Sequence, residues 1–245
     1  MRRHVDSFLL LLLAVAVWEG LSLAVWARSL ATPWKTITTL VKLLGDPDFL
    51  VDVAATAQAL VYAVVLSMLG GVALGVVLGA RRLAGDVMEP ILASLYALPK
   101  VTLYPLVLLI FGLGLSARVA FGAMHGLVPV ALLVMGSVRN IKPILPRSAR
   151  AMRLGPWQTV WTVLLPATLP DLLAALRLGF SLSLLGVLVG EMFASRQGLG
   201  FVVVNAVAYD DLPTILAVIV LLFGVAILVN QALAAAARRI QPGSG

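Results

Sequence analysis

An all-α polytopic membrane protein with about six transmembrane helices is what this sequence predicts, with a short cytoplasmic helix between the fourth and fifth spans. Three observations carry that reading. Of 245 residues, 61% are hydrophobic and 12% charged, with a mean hydropathy of +1.06, a composition typical of multi-span proteins and foreign to soluble domains. The apolar residues fall in runs long enough to cross a bilayer. Basic residues gather in alternate connections, as cytoplasmic loops require.

The net charge of +7 is accounted for by those loops. It does not indicate nucleic acid, because no basic and aromatic surface occurs outside them. The chain has no cysteine, which excludes disulfides, thiolate metal sites and a cysteine nucleophile and leaves the compartment open.

The chain reads as one transmembrane domain over 1–245, with an N-terminal helix at about 8–27, a core at about 53–237 and a cytoplasmic loop at about 139–166. The apolar stretch Phe8 to Ala27, after the basic Met1 to His4, is long for a signal peptide and lacks a clean small-x-small cleavage site. A retained helix starting in the cytoplasm is favoured. Arg28 to Asp52 is mixed, with a Gly45-Asp46-Pro47 turn, and reads as an external connection. The second span, about Val53 to Ala80, carries Gly71, Gly75 and Gly79. Three missing side chains on one helical face let another helix approach closely, and packing within one subunit is favoured over a subunit interface.

A third apolar region, about Val87 to Leu115, is divided by Pro90, Pro99 and Pro105. Each proline removes a backbone donor and clashes with the preceding turn, so a kinked or discontinuous segment is expected, with Lys100 at the break. The fourth span, about Arg118 to Val138, holds Gly122 and Gly126 at packing spacing, and His125. The fifth, about Leu169 to Gly190, holds Asp171, Arg177 and the Gly186-x-x-x-Gly190 face. Asp171 and Arg177 are expected to pair locally or snorkel. Glu191 to Asp211 reads as a polar external connection whose apolar middle is too short to span. The sixth span, about Leu212 to Ala237, ends at Arg238-Arg239.

With both termini inside, the cytoplasmic set is Arg2, Arg3, Arg81, Arg82, Arg139, Lys142, Arg147, Arg150, Arg153, Arg238 and Arg239. The external set is Arg28, Lys35, Lys42, Arg118 and Arg196. That asymmetry places Arg147 to Pro166 in the cytoplasm.

The stretch RSARAMRLGPWQTVWTVLLPATLP, from Arg147 to Pro170, is the longest basic interruption in the chain. Pro146 suits a helical first turn and Gly155-Pro156 a stop, so Arg147 to Leu154 is predicted as about two turns of helix. Its arginines lie on one side, with Ala149 and Met152 on the other. A second amphipathic segment, Trp157 to Leu165, leads into the fifth span. The result is a helix-turn-helix joined stiffly to a spanning helix. It reads equally as a lever for a soluble partner and as a basic segment held by anionic membrane lipid.

At this segment the chain resembles the inner-membrane permease subunits of binding-protein-dependent ABC importers, of the nitrate, sulfonate, taurine and bicarbonate branch. Those permeases carry Glu-Ala-Ala, a Gly six residues after the Glu and a later Leu-Pro, and the segment docks on the ATPase. Trp157, Leu165-Pro166 and the run LLPATLPDLLAALRLG fit that pattern without a gap. Trp18-Glu19, GDPDFLVDVAATAQAL, ALPKVTLYPLVLLIFGLG and GEMFASRQGLGF extend the likeness over nearly the whole chain. The ungapped register puts Arg147-Ser148-Ala149 at Glu-Ala-Ala and Arg153 at the turn Gly. A register matching Gly155 to that Gly puts Ala149 at the Glu position. Either way the acidic residue is missing.

The resemblance implies a homodimer that binds two ATPase subunits, with ATP and Mg on those partners, and a periplasmic or lipid-anchored substrate-binding protein. It implies ATPase coupling, by shape and position, through Arg147, Ser148, Ala149, Arg150, Met152, Arg153, Leu154, Gly155 and Trp157. Because the family's acidic residue is missing, a separate expectation is that the ATPase presents acidic residues to Arg147, Arg150 or Arg153. No Gly-x-x-x-x-Gly-Lys-Ser/Thr loop occurs, so this chain is expected to bind no nucleotide, metal or other cofactor and to catalyse nothing itself. Lys100, His125 and Arg177 are the polar candidates for the translocation path, and their positive character favours a small anion.

Two other classes fit less well. A channel or secondary transporter predicts broken helices in corresponding halves, and only one strongly proline-broken region occurs. An intramembrane protease needs a nucleophile-base pair or two aspartates at membrane depth. The only histidines are His4 and His125, and Ser181 and Ser183 have no flanking nucleophile motif.

Overall fold

The structure, a computed structural model, describes residues 13, 15–23 and 31–240. These residues form helices: α1 (residues 15–23), α2 (Pro33–Leu44), α3 (Pro47–Ala80), α4 (Arg82–Ala97), α5 (Tyr104–Phe111), α6 (Leu115–Arg139), α7 (Ile144–Ala151), α8 (Pro156–Thr159), α9 (Leu165–Ala194), α10 (Leu199–Ala208) and α11 (Leu212–Ile240). Four helical stretches are long and apolar enough to cross a membrane: α3, α6, Trp157–Phe193 and Leu212–Ala237. The bent pair Arg82–Ala97 and Lys100–Phe111 makes a fifth if counted as one span. Of the expected first span, residues 13 and 15–23 are described and the other half lies outside the described residues.

The core is a slab of α3, α6 and α9 with α6 in the middle. α6 is the most enclosed of the four long helices, 61% buried over its apolar window. Small residues make that possible. Along α3 the buried face runs Thr56, Ala59, Ala63, Ser67, Gly71, Gly75 and Gly79, so no side chain holds α6 away. Val130, Val134 and Val138 of α6 fill the notches. A Cβ at Gly71 would lie 2.6 Å from the Val130 side chain, one at Gly75 2.7 Å from the Ala131 carbonyl oxygen, and one at Gly79 2.8 Å from Val138. Gly122 and Gly126 of α6 admit Ala63 and Ser67 on one side and Val187 and Ser183 of α9 on the other. Gly186 of α9 lies against His125, whereas Gly190 has ordinary clearance, 3.4 Å from Arg118 Cα. All these contacts are within one subunit.

Gly75 offers a test. The atom it would strike belongs to backbone, which cannot swing aside. Gly75→Val will therefore lower the stability of the purified protein by about 1–3 kcal/mol through overpacking, read as a fall in detergent melting temperature. Gly136→Ala, on the neighbouring core helix α6 and with nothing within 4 Å, will leave it unchanged or slightly raised.

The proline-divided region is discontinuous. α4 stops at Ala97, and Lys100–Leu103 makes a 3₁₀ turn before α5, the two arms being bent by 86°. Pro99 supplies the break, while Pro90 is carried inside α4 and Pro105 sits in the first turn of α5, where its missing donor costs nothing. Tyr104 fixes α5 to the slab by donating to the Gly190 carbonyl at 2.8 Å, with its ring edge-on to Phe121. At the other end Arg139 binds Glu89 at 2.6 Å and Asp86 at 2.8 Å, tying α4 to α6.

Two expected connections are helical instead. Within Arg28 to Asp52, α2 begins at the Thr32 cap and Pro33, and α3 begins at Pro47. Gly45-Asp46-Pro47 is thus a helix stop followed by a helix start: Asp46 accepts from the Asp48 amide at 3.1 Å and Pro47 occupies the first turn. α3 reaches about 51 Å at 1.5 Å per residue over its 34 residues, longer than the hydrocarbon layer. In the Glu191 to Asp211 connection, α9 continues to Ala194, and α10 packs on α9, α11 and α3 around Phe49, Leu199 and Val218.

Candidate functional site

At the end of the bundle where α6 finishes, α7 spans Ile144–Ala151, three residues earlier than the sequence predicts at both ends. Pro146 lies within its first turn, where amides have no helical acceptor, so the helix can begin before it. The stop is chemical. Leu154 donates to the Ala149 carbonyl and Arg153 to the Arg150 carbonyl, each at 3.0 Å, the paired bonds of a Schellman ending. Arg153 carries the left-handed residue of that motif, with φ +54, a place usually given to glycine. Arg153 therefore occupies the left-handed turn that ends this helix. Gly155 instead opens the next helix: its amide donates to Gln158 Oε1 at 3.0 Å and its carbonyl accepts from Thr159 Oγ1 at 3.0 Å.

Arg147, Ser148, Arg150 and Arg153 are exposed, Ala149 is buried and Leu154 and Gly155 are half-buried. Met152 does not share the buried face with Ala149. It falls at the helix end, 70% exposed, because α7 closes one residue before it. Trp157 and Trp161 are also exposed, edge-to-face at 5.9 Å. From Trp157 the chain is helical without interruption to Phe193. A π-helical turn, Val160–Leu164, precedes Pro166 and relieves the clash of its ring with the Thr162 carbonyl. A short basic helix is thereby joined rigidly to a membrane-length rod.

The three polar path candidates are not brought together. Lys100 sits at the α4 to α5 break, donating to the Tyr96 carbonyl at 3.0 Å and lying 4.9 Å from that ring. His125 is enclosed between α6 and α9, with Nδ1 2.9 Å from the Phe121 carbonyl and its ring against Phe121. Arg177 is on the exposed face of α9, with Nε 3.4 Å from Asn230 Oδ1 of α11. Asp171 is not its partner: Asp171 accepts from Ser137 Oγ at 2.6 Å. These two charges therefore satisfy themselves across helices rather than along α9.

At the opposite end lies the most elaborate polar group among the described residues, which the sequence alone does not reveal. Glu191, expected in an external connection, is fully buried inside α9. Its carboxylate accepts from Thr56 Oγ1 at 3.0 and 2.9 Å, from the Gly200 amide at 3.0 Å and from Arg118 Nη1 at 3.3 Å. Thr56 accepts from the Leu199 amide at 2.8 Å, and Asp52 from the Gly198 amide at 2.7 Å. Gly198 has φ +111, and the Glu191 carboxylate fills the place of a side chain there. Arg118, counted above as an external loop charge, is 7% exposed. One signal was readable: Ser183, Val187 and Glu191, at helical i, i+4 spacing, form one wholly buried edge. Among the described residues no group of three or more His, Asp or Glu could hold a metal ion.

Residues 71–242 match the family described as the binding-protein-dependent transport system inner membrane component. The chain belongs to that family. It is similar to the taurine transport permease TauC of Escherichia coli, 25% identical over 221 residues covering 88% of this chain and 80% of that protein. It is also similar to the putative aliphatic sulfonates transport permease SsuC of Bacillus subtilis, 27% identical over 216 residues covering 84% and 76%. Its fold resembles a chain of the MetNI methionine ABC transporter in an inward-facing conformation, with a TM-score of 0.67 at 22% identity over 76% of this chain and 93% of that one. This chain is accordingly an ABC importer permease, an inner-membrane component, and its family is one of membrane components rather than enzymes.

Proposed function

We propose that this permease, as a homodimer, forms the path for a small anionic solute delivered by a separate binding protein, and that two ATPase subunits carrying ATP and Mg drive it through α7. The single observation behind the coupling role is the rigid connection from α7, through the Schellman turn, into the continuous helix Trp157–Phe193. Closure of the ATPase pair on α7 would move that rod as a unit and switch access between the two sides. The energy enters through the different affinity of the partners for the two states. Both termini lie in the cytoplasm in this reading, and the arginines of α7 meet acidic residues of the ATPase. Lys100 and Arg177 border the path, while His125 serves packing. The anionic solute class is supported by the taurine and sulfonate permeases as relatives.

The native chain has no cysteine, which makes the test direct. A photoactivatable maleimide on Arg150→Cys in native membranes will capture an ABC ATPase, whereas the same reagent on Tyr209→Cys, 84% exposed near the opposite end, will not. Capture of no ATPase from position 150 would overturn the docking assignment.

A further inference from the structure

A cavity of about 450 Å³ opens at the end of the bundle remote from α7, lined by Leu113, Gly114, Arg118, Ser195, Arg196 and Gln197. Its size falls within the range of small-ligand sites, about 300–1,000 Å³. Both ionisable residues in its wall are arginines.

Arg118 is held rigidly. Its Nε donates to the Gly114 carbonyl at 3.4 Å, and its Nη1 to Glu191 at 3.3 Å and the Gln197 carbonyl at 3.4 Å. Among the described residues Nη2 has no acceptor, although the side chain is only 8% exposed. A guanidinium so fixed presents a preorganised donor at the cavity wall. Arg196 is exposed and forms no ion pair among the described residues. The cavity also borders the start of α6, where Gly114 supplies no side-chain cap and the helix dipole is positive. Glu191 offsets one positive charge from behind, but it is wholly buried and does not line the cavity.

We propose that this cavity is an anion-binding site, with Arg118 and Arg196 clamping a singly charged oxyanion group and Leu113 meeting its apolar tail. A sulfonate or carboxylate solute and the phosphodiester of an anionic lipid share that chemistry. Its role as a station for the imported solute rests on the importer reading; the binding itself does not.

The test uses the full chain in nanodiscs of phosphatidylcholine, without ATP or binding protein, and trifluoromethanesulfonate as the probe, followed by ¹⁹F line broadening. Saturable broadening is expected, displaced by ethanesulfonate and not by neutral dimethyl sulfone. Arg196→Gln will weaken it about tenfold by removing a charge-assisted contact, and Lys42→Gln, an exposed charge on α2, will leave it intact. Broadening that does not saturate, or that is unchanged in Arg196→Gln, overturns the site. Repetition in nanodiscs rich in phosphatidylglycerol separates the sources: retained binding assigns the site to a solute, and lost binding assigns it to a lipid headgroup. The ATPase capture at position 150 is independent, so failure here leaves the importer reading standing, and the reverse.

Discussion

Replacing Glu191 with alanine will destabilise the permease by about 3–5 kcal/mol, the usual cost of removing one partner from a buried ion pair. The penalty arises from what is left behind more than from what is lost. Arg118 would keep a buried guanidinium with only carbonyl acceptors at 3.4 Å, Thr56 would lose its acceptor, and the Gly200 amide would be orphaned. Removing both charges, as in Arg118→Met with Glu191→Leu, will cost much less than the sum of the single changes, because no uncompensated charge remains. A double-mutant cycle on detergent unfolding measures this, and strictly additive values would show that the pair is not coupled. A second readout is local. The amides of Gly198, Leu199 and Gly200 bond to Asp52, Thr56 and Glu191, so their hydrogen exchange will accelerate in Glu191→Ala while amides in the middle of α6 stay protected. The node is thus what fastens the turn before α10 to α3, α6 and α9.

The same residues mark where sequence reasoning ended. Apolar runs exposed the long helices because length and composition suffice. Pro99 exposed the break in the third region, because the loss of a donor and a ring clash act whatever the tertiary context. The glycine faces were readable because i, i+4 spacing lays missing side chains along one stripe. Glu191 was not readable, because hydropathy treats a carboxylate after an apolar run as the end of that run. Only the three-dimensional approach of Thr56, Arg118 and Gly200, up to 135 residues distant in sequence, makes burial tolerable. Asp46-Pro47 was ambiguous for a different reason: the same dipeptide suits a turn or a helix start, and the choice depends on α2 ending at Gly45 just before it. Arg153 is a third case. Propensity would place glycine, not arginine, at a left-handed turn, so the position showed itself only through the alignment of Leu165-Pro166 and then through its backbone.

Reversing Arg147, Arg150 and Arg153 together to glutamate will reduce ATP-driven uptake by at least tenfold while leaving insertion and folding intact. All three side chains are exposed and none is in an ion pair among the described residues, so the fold does not depend on them. A surface meeting acidic residues of a partner does, because like charges set opposite one another oppose both encounter and docking. Charge must be separated from shape, and Arg153 allows it. Arg153→Gly keeps the turn and eases its positive φ, so uptake will fall only by the share of one charge. Trp157→Ala instead removes a 72% exposed ring beside the turn without altering charge. Loss in the triple reversal, partly restored by acidic-to-basic exchange on the ATPase, would identify an electrostatic contact in place of the missing Glu-Ala-Ala acid. Uptake unchanged by the reversal but abolished in Trp157→Ala would overturn the charge contact and leave the loop docked through the exposed Trp157 ring instead.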